Sequence, residues 1–299
     1  MTARPTLVLD SPSLVYRAFF ALPASIRSPE GGSVNAVRGY LDMVSYLVSN
    51  RRPAGTVHTF DADWRPQWRV DEYAGYKATR ADDPPELAGQ FERILEFLDA
   101  AGLPVLAAPG FEADDVIGTL AARASDATPI EVVTGDRDML QVIRDGVVTV
   151  LFTRRGVSEL DRFDDAAVRA KYGVPAARYA DFAILRGDPS DGLPGVRGVG
   201  AKRAAELVTD HATLDDLLAD ADRRATRLSG SLLQSRDYIA AMQRIVPVRT
   251  DLRLELPQPR SADAERLLAL ADRHGIRSAG ERLVEALGLR PGTEPVDVA

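Results

Sequence analysis

Acidic side chains are concentrated at a few places along this sequence. Three carboxylates fall within four residues at Glu112, Asp114 and Asp115, where a helix is predicted to begin. Six more follow predicted strands or lie in loops: Asp10, Asp61, Asp136, Asp138, Asp188 and Asp191. An acidic helix start is also favoured by the helix dipole, so the dense stretch alone does not identify a site. What it indicates depends on whether the other carboxylates lie beside it.

These carboxylates predict a divalent-cation site that contains only oxygen ligands. The chain contains no cysteine, and its three histidines (His58, His211 and His274) are scattered and are expected to be structural or on the surface. Oxygen ligands without His or Cys select Mg²⁺ or Mn²⁺ over Zn²⁺. Two such ions about 3.5–4 Å apart would stabilise both the attacking and the leaving oxygen of a phosphodiester.

The elements that must position these acids alternate between strand and helix from Thr6 to Leu151. This alternation predicts an α/β fold with a mostly parallel central sheet flanked by helices. Asp10, Asp61 and Asp136 each follow a short apolar run, so all three are expected at the edge where parallel strands end. Beyond Asp164 the strand signal stops, and the rest of the chain is predicted to be helical.

Residues 62–85 have a different composition, in which aromatic and basic side chains interleave. The aromatic residues are Trp64, Trp68, Tyr73 and Tyr76, and the basic ones are Arg65, Arg69, Lys77 and Arg80. Aromatic rings stack on bases and cations bind phosphates, so this pattern suits single-stranded nucleic acid. An ordinary surface segment held by a few anchoring aromatics has the same composition, and both interpretations stay open.

Spaced glycines between two predicted helices form a second candidate site. Gly195, Gly198 and Gly200 are followed at once by Lys202 and Arg203. Backbone N–H groups at glycines and at a helix N-terminus can bind phosphates without regard to base sequence. A dinucleotide-binding loop would have to follow a strand, which excludes that interpretation here.

Composition limits the remaining possibilities. The 299 residues carry 37 basic and 44 acidic side chains, a formal charge of −7, and the sequence has no apolar run long enough to span a bilayer. No signal peptide is predicted at the N-terminus, so the expected location is cytoplasmic. The net charge does not exclude a nucleic-acid partner, because basic residues can cluster on one face.

The sequence resembles the bacterial and phage 5′-nuclease (flap endonuclease) family, which includes the 5′-nuclease domain of bacterial DNA polymerase I. The motifs that carry the resemblance lie in order between about residues 5 and 250. They are Leu7-Val8-Leu9-Asp10, Phe60-Asp61-Ala62, Tyr73-Ala74-Gly75-Tyr76-Lys77-Ala78-Thr79-Arg80, Gly110-Phe111-Glu112-Ala113-Asp114-Asp115-Val116, Thr134-Gly135-Asp136-Arg137-Asp138, Gly187-Asp188-Pro189-Ser190-Asp191-Gly192-Leu193-Pro194-Gly195-Val196 and Gly198-Val199-Gly200-Ala201-Lys202. Gly192 departs from the pattern, since many relatives carry Asn there.

The resemblance implies a role for each matching residue. The first metal cluster would contain Asp10, Asp61, Glu112 and Asp114, and the second Asp136, Asp138, Asp188 and Asp191. Asp115 would lie behind or between them as a further metal residue, with a purely local helix-start role as the alternative. Lys77 and Arg80 would reach the scissile phosphate from an arch at about residues 62–85. DNA contacts are expected from Arg17, Tyr76, Gly195, Val196, Gly198, Gly200, Lys202 and Arg203.

The expected protein is thus a structure-specific 5′ nuclease that uses two or more Mg²⁺ or Mn²⁺ ions. The predicted division is a nuclease core at 1–172 and a helical DNA-binding region at 173–299. The latter would carry a helix-three-turn-helix at about 183–210, which in relatives also binds K⁺. Branched or 5′-flap DNA and RNA-DNA primers are the expected partners, in replication and repair. No polymerase domain follows, so a stand-alone monomer is expected. A non-catalytic branched-DNA-binding protein and a ribonuclease are the rival interpretations.

Overall fold

A six-stranded sheet forms the centre of the first half of the chain. The computed structural model describes residues 3–255, 261–290 and 296–297. The strand order is β3-β2-β1-β4-β5-β6, and all neighbours are parallel except β5 and β6. The strands are β1 (Thr6–Asp10), β2 (Thr56–Thr59), β3 (Val105–Leu106), β4 (Ile130–Thr134), β5 (Val148–Thr153) and β6 (Leu160–Phe163). The prediction of a mostly parallel sheet flanked by helices is confirmed.

The inner strands are apolar because helices cover both faces of the sheet. In β1, the side chains of Leu7, Val8 and Leu9 are all buried, and Leu9 pairs in register with Val133 of β4. The antiparallel edge strand β6 was not predicted. Its sequence Leu160-Asp161-Arg162-Phe163 has two central polar residues, which an edge strand tolerates and a periodicity search overlooks.

Helices of the first half connect and cover these strands. They are α1 (Ser11–Ala21), α2 (Asn35–Arg51), α3 (Gln67–Glu72), α4 (Pro85–Ala100), α5 (Ala113–Arg123) and α6 (Asp165–Tyr172). Between β4 and β5, where the alternation predicts a helix, the structure has a short 3₁₀ helix at Asp138–Val142.

The second half is helical, as predicted. Its helices are α7 (Tyr179–Arg186), α8 (Ala201–Asp210), α9 (Leu214–Asp222), α10 (Arg227–Gln234), α11 (Arg236–Ile245), α12 (Ala264–Arg273) and α13 (Arg277–Ala286). Short strands β7 (Ser261–Ala262) and β8 (Val296–Asp297) pair antiparallel. In the described residues, no helix is both long enough and apolar enough to cross a membrane.

The last two long helices pack back on the first half of the chain. Leu267 and Leu283 belong to the same buried cluster as Leu41 and Phe97 of α2 and α4. At the surface, the Arg266 guanidinium lies 2.8 Å from Asp99 of α4. The helical region after residue 173 therefore contacts the sheet-containing half at both of its ends.

Helix α5, whose first turn carries part of the acidic stretch, packs closely against the chain after α11. A Cβ atom at Gly118 would lie 2.5 Å from the Arg249 carbonyl oxygen and 2.5 Å from Val248 Cγ2. Glycine at this position permits the close approach of the two segments.

We expect Gly118→Ala to lower the free energy of unfolding by about 1–3 kcal/mol, because it overpacks this contact. The control is Gly230→Ala in α10, where a Cβ would meet nothing within 4 Å. That change should stabilise the protein by about 0.5–1 kcal/mol, since alanine favours helix. Urea denaturation of both variants tests the contact, and a Gly118→Ala protein as stable as the parent would contradict it.

Candidate active site

One cavity of about 1640 Å³ opens where β1, β2 and β4 end. Six of the predicted carboxylates line it: Asp10, Asp61, Glu112, Asp114, Asp136 and Asp188. Three of the predicted cations line it as well, namely Arg17, Lys77 and Arg80. The tertiary structure thus brings residues more than 170 positions apart in sequence to one place.

Asp10 is the last residue of β1 and also caps α1. Its carboxylate accepts hydrogen bonds from the Ser13 N–H at 3.2 Å and from the Thr134 hydroxyl. The side chain is buried, and burial raises its pKa to about 7, with nearby Asp136 acting in the same direction.

Asp61 and Asp114 lie beside Asp10, and we call these three residues the first acidic group. Asp61 accepts a hydrogen bond from the Ala113 N–H at 2.7 Å, which joins it to the start of α5. Desolvation inside the cavity raises the pKa of Asp61, even though part of its side chain reaches solvent. Desolvation, then Asp136 and Asp10, raise the pKa of Asp114 well above its ordinary value.

The second acidic group consists of Asp136, Asp138, Asp188 and Asp191. Burial raises the pKa of Asp138 well above its ordinary value, and the other three members add to this effect by repulsion. Burial likewise raises the pKa of Asp191 to about 6. One carboxylate oxygen of Asp138, Oδ1, is buried without a hydrogen-bond partner.

These features fit divalent cations that bind oxygen. Crowded carboxylates with raised pKa values and a buried, unpartnered Asp138 oxygen all call for added positive charge. The side chains do not yet converge on one point: within the described ranges, no three acidic or histidine side chains form a ready-made ion site. Binding therefore requires side-chain adjustment within the cavity.

Glu112 differs from the other predicted ligands, because protein groups already occupy both its carboxylate oxygens. Lys77 Nζ contacts Oε1, and both Arg69 Nη1 and the Tyr76 hydroxyl contact Oε2. The predicted role of Glu112 as a free metal ligand does not match this conformation. Its charge is neutralised by two buried cations.

Lys77 joins the two acidic groups. Its side chain binds Glu112, next to the first group, and its backbone N–H donates to the Asp191 carbonyl oxygen at 2.9 Å. Burial alone would lower the pKa of Lys77, but Glu112 and Asp191 raise it above its ordinary value. The residue has a φ of +50°, a left-handed conformation that is unusual for a side chain of this size.

Behind Lys77 and Glu112 lies a buried arginine, Arg69, for which the sequence predicted no role of its own. The Arg69 side chain is 3% exposed, and its two terminal nitrogens lie 2.8 and 2.7 Å from the two carboxylate oxygens of Asp115. It also donates to the Ile245 carbonyl oxygen at 3.1 Å. The sequence did contain a signal for this pairing, since Arg69 lies among the aromatic residues of the 62–85 segment. If those aromatic residues are buried, the charge is buried with them and requires a partner.

The contacts of Asp115 favour the structural alternative over the predicted metal role. It is fully buried, and besides Arg69 it accepts hydrogen bonds from the backbone N–H groups of Arg249 at 3.0 Å and Glu112 at 3.3 Å. All its acceptor capacity is directed into the protein, and its local helix-start role is the alternative that the structure favours.

Most aromatic residues of the 62–85 segment act as anchors. Trp68 packs 6.2 Å from Phe111, Tyr73 packs 6.1 Å from Tyr238, and Tyr76 is buried. Tyr76 stays a predicted DNA contact, but in this conformation its ring and hydroxyl are enclosed. Trp64 is 47% exposed and stays available for stacking.

Arg17 and Arg80 are the predicted phosphate-binding cations that are less enclosed than Lys77. Arg17 Nη1 donates to the Arg154 carbonyl oxygen at 3.0 Å. The Arg80 guanidinium lies 5.8 Å from the centre of the Tyr16 ring. Both side chains face the cavity that the acids line.

The glycine loop between α7 and α8 divides into a structural and an open part. The Gly195 N–H donates to the Tyr238 hydroxyl at 3.0 Å, and Val196 is buried. Both stay predicted DNA contacts, although in this conformation the Gly195 N–H and the Val196 side chain are used inside the protein. A Cβ at Gly198 or Gly200 would meet nothing within 4 Å, and Lys202 and Arg203 are exposed.

Gly192, the departure from the family pattern, has a specific packing reason. Its φ is +72°, and a Cβ there would lie 2.4 Å from the Gly75 carbonyl oxygen. The turn that carries Asp188 and Asp191 therefore packs directly on the turn that carries Lys77. A larger residue at 192 would separate the two turns.

We expect Asp115→Ala to lower the free energy of unfolding by about 3–5 kcal/mol, because it leaves Arg69 buried without its main partner. The control is Asp251→Ala, which removes the partner of exposed Arg249, 3.1 Å away, and should cost at most about 1 kcal/mol. Urea denaturation without metal compares the two variants. An unchanged stability for Asp115→Ala would return this residue to the metal ligands.

Asp10 predicts that its contribution to the stability of the metal-free protein falls as the pH rises from about 4 to about 7. Its raised pKa means that the folded protein binds a proton that the unfolded chain has lost between pH 3.8 and about 7. This stabilisation is complete at low pH and is lost as the pH rises through about 7. Buried His58, whose pKa is lowered from 6.5 to about 3, has the opposite effect only below pH 6.5.

The measurement is the melting temperature in EDTA between about pH 5 and 8. The value for the parent minus the value for Asp10→Asn should fall up to about pH 7 and then level off, and His58 is common to both proteins. Equal slopes for the two proteins would contradict the assigned role of Asp10.

Comparison with known proteins agrees with this fold. Residues 5–173 match the 5′-3′ exonuclease N-terminal resolvase-like domain, and residues 174–265 match the 5′-3′ exonuclease C-terminal SAM fold. The chain is 44% identical over 316 residues to a 5′-3′ exonuclease of Mycobacterium tuberculosis, and the match covers 96% of this chain and 99% of that one. It is 43% identical to a 5′-3′ exonuclease of Streptomyces coelicolor, covering 94% and 99%.

Other relatives are longer or more distant. The chain is 41% identical to DNA polymerase I of M. tuberculosis and covers 33% of that protein. The fold is similar to T5 5′-exonuclease with bound divalent zinc ions, at 15% identity and a TM-score of 0.65, covering 95% and 99% of the two chains. It is also similar to human GEN1 in complex with Holliday junction DNA, at 17% identity and a TM-score of 0.59, covering 95% and 72%.

With both domain models matched and full-length relatives above 40% identity, the chain belongs to the 5′-3′ exonuclease family.

Proposed function

We propose that this member of the family is a structure-specific 5′ nuclease that hydrolyses DNA phosphodiesters near single-strand/duplex junctions with two or more divalent cations. The observation that carries the proposal is a cavity that members of both acidic groups line together with three cations, while burial raises the pKa of Asp114 at the cavity and of Asp138 in the second group. A site that only bound DNA would gain nothing from carboxylates that repel phosphates.

The proposed ion ligands are the seven members of the two acidic groups. Their oxygen-only chemistry favours Mg²⁺ or Mn²⁺. Bound ions would lower the pKa of an attacking water and neutralise charge on the phosphate. Glu112 joins the first group when its contact with Lys77 opens, which restores to it the role expected from the resemblance.

Lys77 and Arg80 are proposed to stabilise the charge that develops on the phosphoryl oxygens. In this structure Lys77 is held by Glu112, 9% exposed, and its backbone is fixed at the edge of the cavity. If Glu112 held a cation instead, the Lys77 ammonium group would be free to bind a phosphate oxygen beside the carboxylates. Arg80 and Arg17 lie at the cavity wall and suit flanking phosphates.

Duplex DNA is proposed to lie on the loop between α7 and α8. Gly198 and Gly200 leave its backbone open, and Lys202 and Arg203 add exposed positive charge at the start of α8. A K⁺ ion at this loop belongs to the same proposal. It assigns cleavage to residues 1–172 and duplex binding to residues 173–299, with a monomer as the active form.

The proposed substrates are 5′-flap and other branched DNA, together with RNA-DNA primers, in replication and repair. One structural neighbour, human GEN1, is described in complex with Holliday junction DNA, which supports a branched substrate here. The packed 62–77 segment would have to move to admit a 5′ single strand as an arch does. Its anchors (Arg69, Tyr73 and Tyr76) set the cost of that movement.

Cleavage of a labelled 5′-flap duplex in Mg²⁺ or Mn²⁺ tests the function. We expect Asp136→Ala to lower kcat by about 10²–10³-fold or more, because each ion contributes several kcal/mol to the transition state. DNA binding by the same variant should be retained. The control is Asp126→Ala, an exposed acid in the loop before β4, which should cleave like the parent.

Two results would reject the proposal. Absence of metal-dependent cleavage by the parent protein would leave a non-catalytic branched-DNA-binding protein. Preference for an all-RNA flap over the matched DNA flap would favour a ribonuclease.

A further inference from the structure

An arginine that belongs to no predicted set lies beside the second acidic group. Arg186 is the last residue of α7, and its Nη2 is 3.6 Å from Asp188 Oδ2. Its Nε donates to the Gly187 carbonyl oxygen at 3.0 Å, and its guanidinium lies 5.3 Å from the centre of the Phe182 ring. These contacts fix a positive charge at the wall of the cavity, with 20% of the side chain exposed.

The loop geometry explains why Arg186 stays in this position. A Cβ at Gly195 would lie 2.5 Å from the Arg186 carbonyl oxygen, so the chain after the turn packs closely against the end of α7. Phe182 is buried one turn earlier on the same helix. The Arg186 residue is thus held at its backbone and along the flat face of its guanidinium, which restricts the movement of the side chain.

Arg186 pairs with one member of an acidic group that also includes Asp136, Asp138 and Asp191. The unpartnered Oδ1 atom of Asp138 belongs to the same group. Arg186 is therefore a resident counter-charge for this group, whereas Lys77 uses its ammonium group on Glu112.

We propose that Arg186 is a positioning residue that sets the affinity of the second acidic group for divalent cations. It holds Asp188 in place, and its charge makes cation binding there weaker than at the first group. The proposal rests on the proposed metal-dependent function. Its consequence is substrate coupling: phosphate oxygens entering the cavity offset the guanidinium charge, so the second group binds its cation most tightly when DNA is present.

Direct titration of the full chain with Mn²⁺, with free Mn²⁺ followed by electron paramagnetic resonance, tests the inference without DNA or activity. We expect a tighter and a weaker class of ion in the parent protein, with the weaker class lost in Asp138→Asn. Arg186→Met keeps the apolar contact with Phe182 but removes the charge, so it should tighten the weaker class about tenfold. Arg186→Lys keeps the charge and should stay within about threefold of the parent.

The matched control is Arg169→Met in α6. This arginine is 58% exposed and pairs with Asp165, and its removal should leave both classes unchanged. The inference is overturned if Arg186→Met leaves the weaker class unchanged or weakens it, or if Arg186→Lys tightens it as much as Met. A parent protein that binds no Mn²⁺ would instead overturn the proposed function, and the inference with it.

Discussion

The buried ion pair between Arg69 and Asp115 is the interaction on which the candidate site depends. Removing two charges from water is costly, and only close pairing with further hydrogen bonds makes such a burial tolerable. Here the pair joins α3, the first turn of α5 and the chain after α11, through Arg69, Asp115, Ile245 and the Arg249 backbone. Asp114 lies between Asp115 and Glu112, so the same pair fixes where that carboxylate faces the cavity.

The protein itself also neutralises part of the negative charge in the acidic cavity. Arg69 and Lys77 share Glu112, and Arg186 faces Asp188. Without these cations the carboxylates at the sheet edge would repel each other more strongly and destabilise the fold. Each of these cations therefore offsets part of the cost of bringing the carboxylates together.

Packing, in addition to charge, connects the two acidic groups. The turn with Asp188 and Asp191 lies directly on the turn with Lys77, and Gly192 and Gly75 make this approach possible. Movement of the 62–77 segment would therefore be transmitted to Asp191 through the hydrogen bond from the Lys77 backbone N–H. This geometry therefore couples any displacement of residues 62–77 to the second acidic group.

The sequence by itself determined the class of fold and the chemistry of the site. Apolar runs that end in Asp10 or precede Asp61 and Asp136 predict parallel strands whose ends meet, because side chains buried on both faces leave a period-free apolar pattern. The absence of cysteine and the scattered histidines determined the oxygen-only character of any ion site. Only the tertiary structure decided which polar groups were already used. Three groups that match family motifs already have partners inside the protein. Asp115 pairs with Arg69, the Tyr76 hydroxyl donates to Glu112, and the Gly195 N–H donates to the Tyr238 hydroxyl. Local sequence does not encode these partners, since each comes from a segment far along the chain and is chosen by packing.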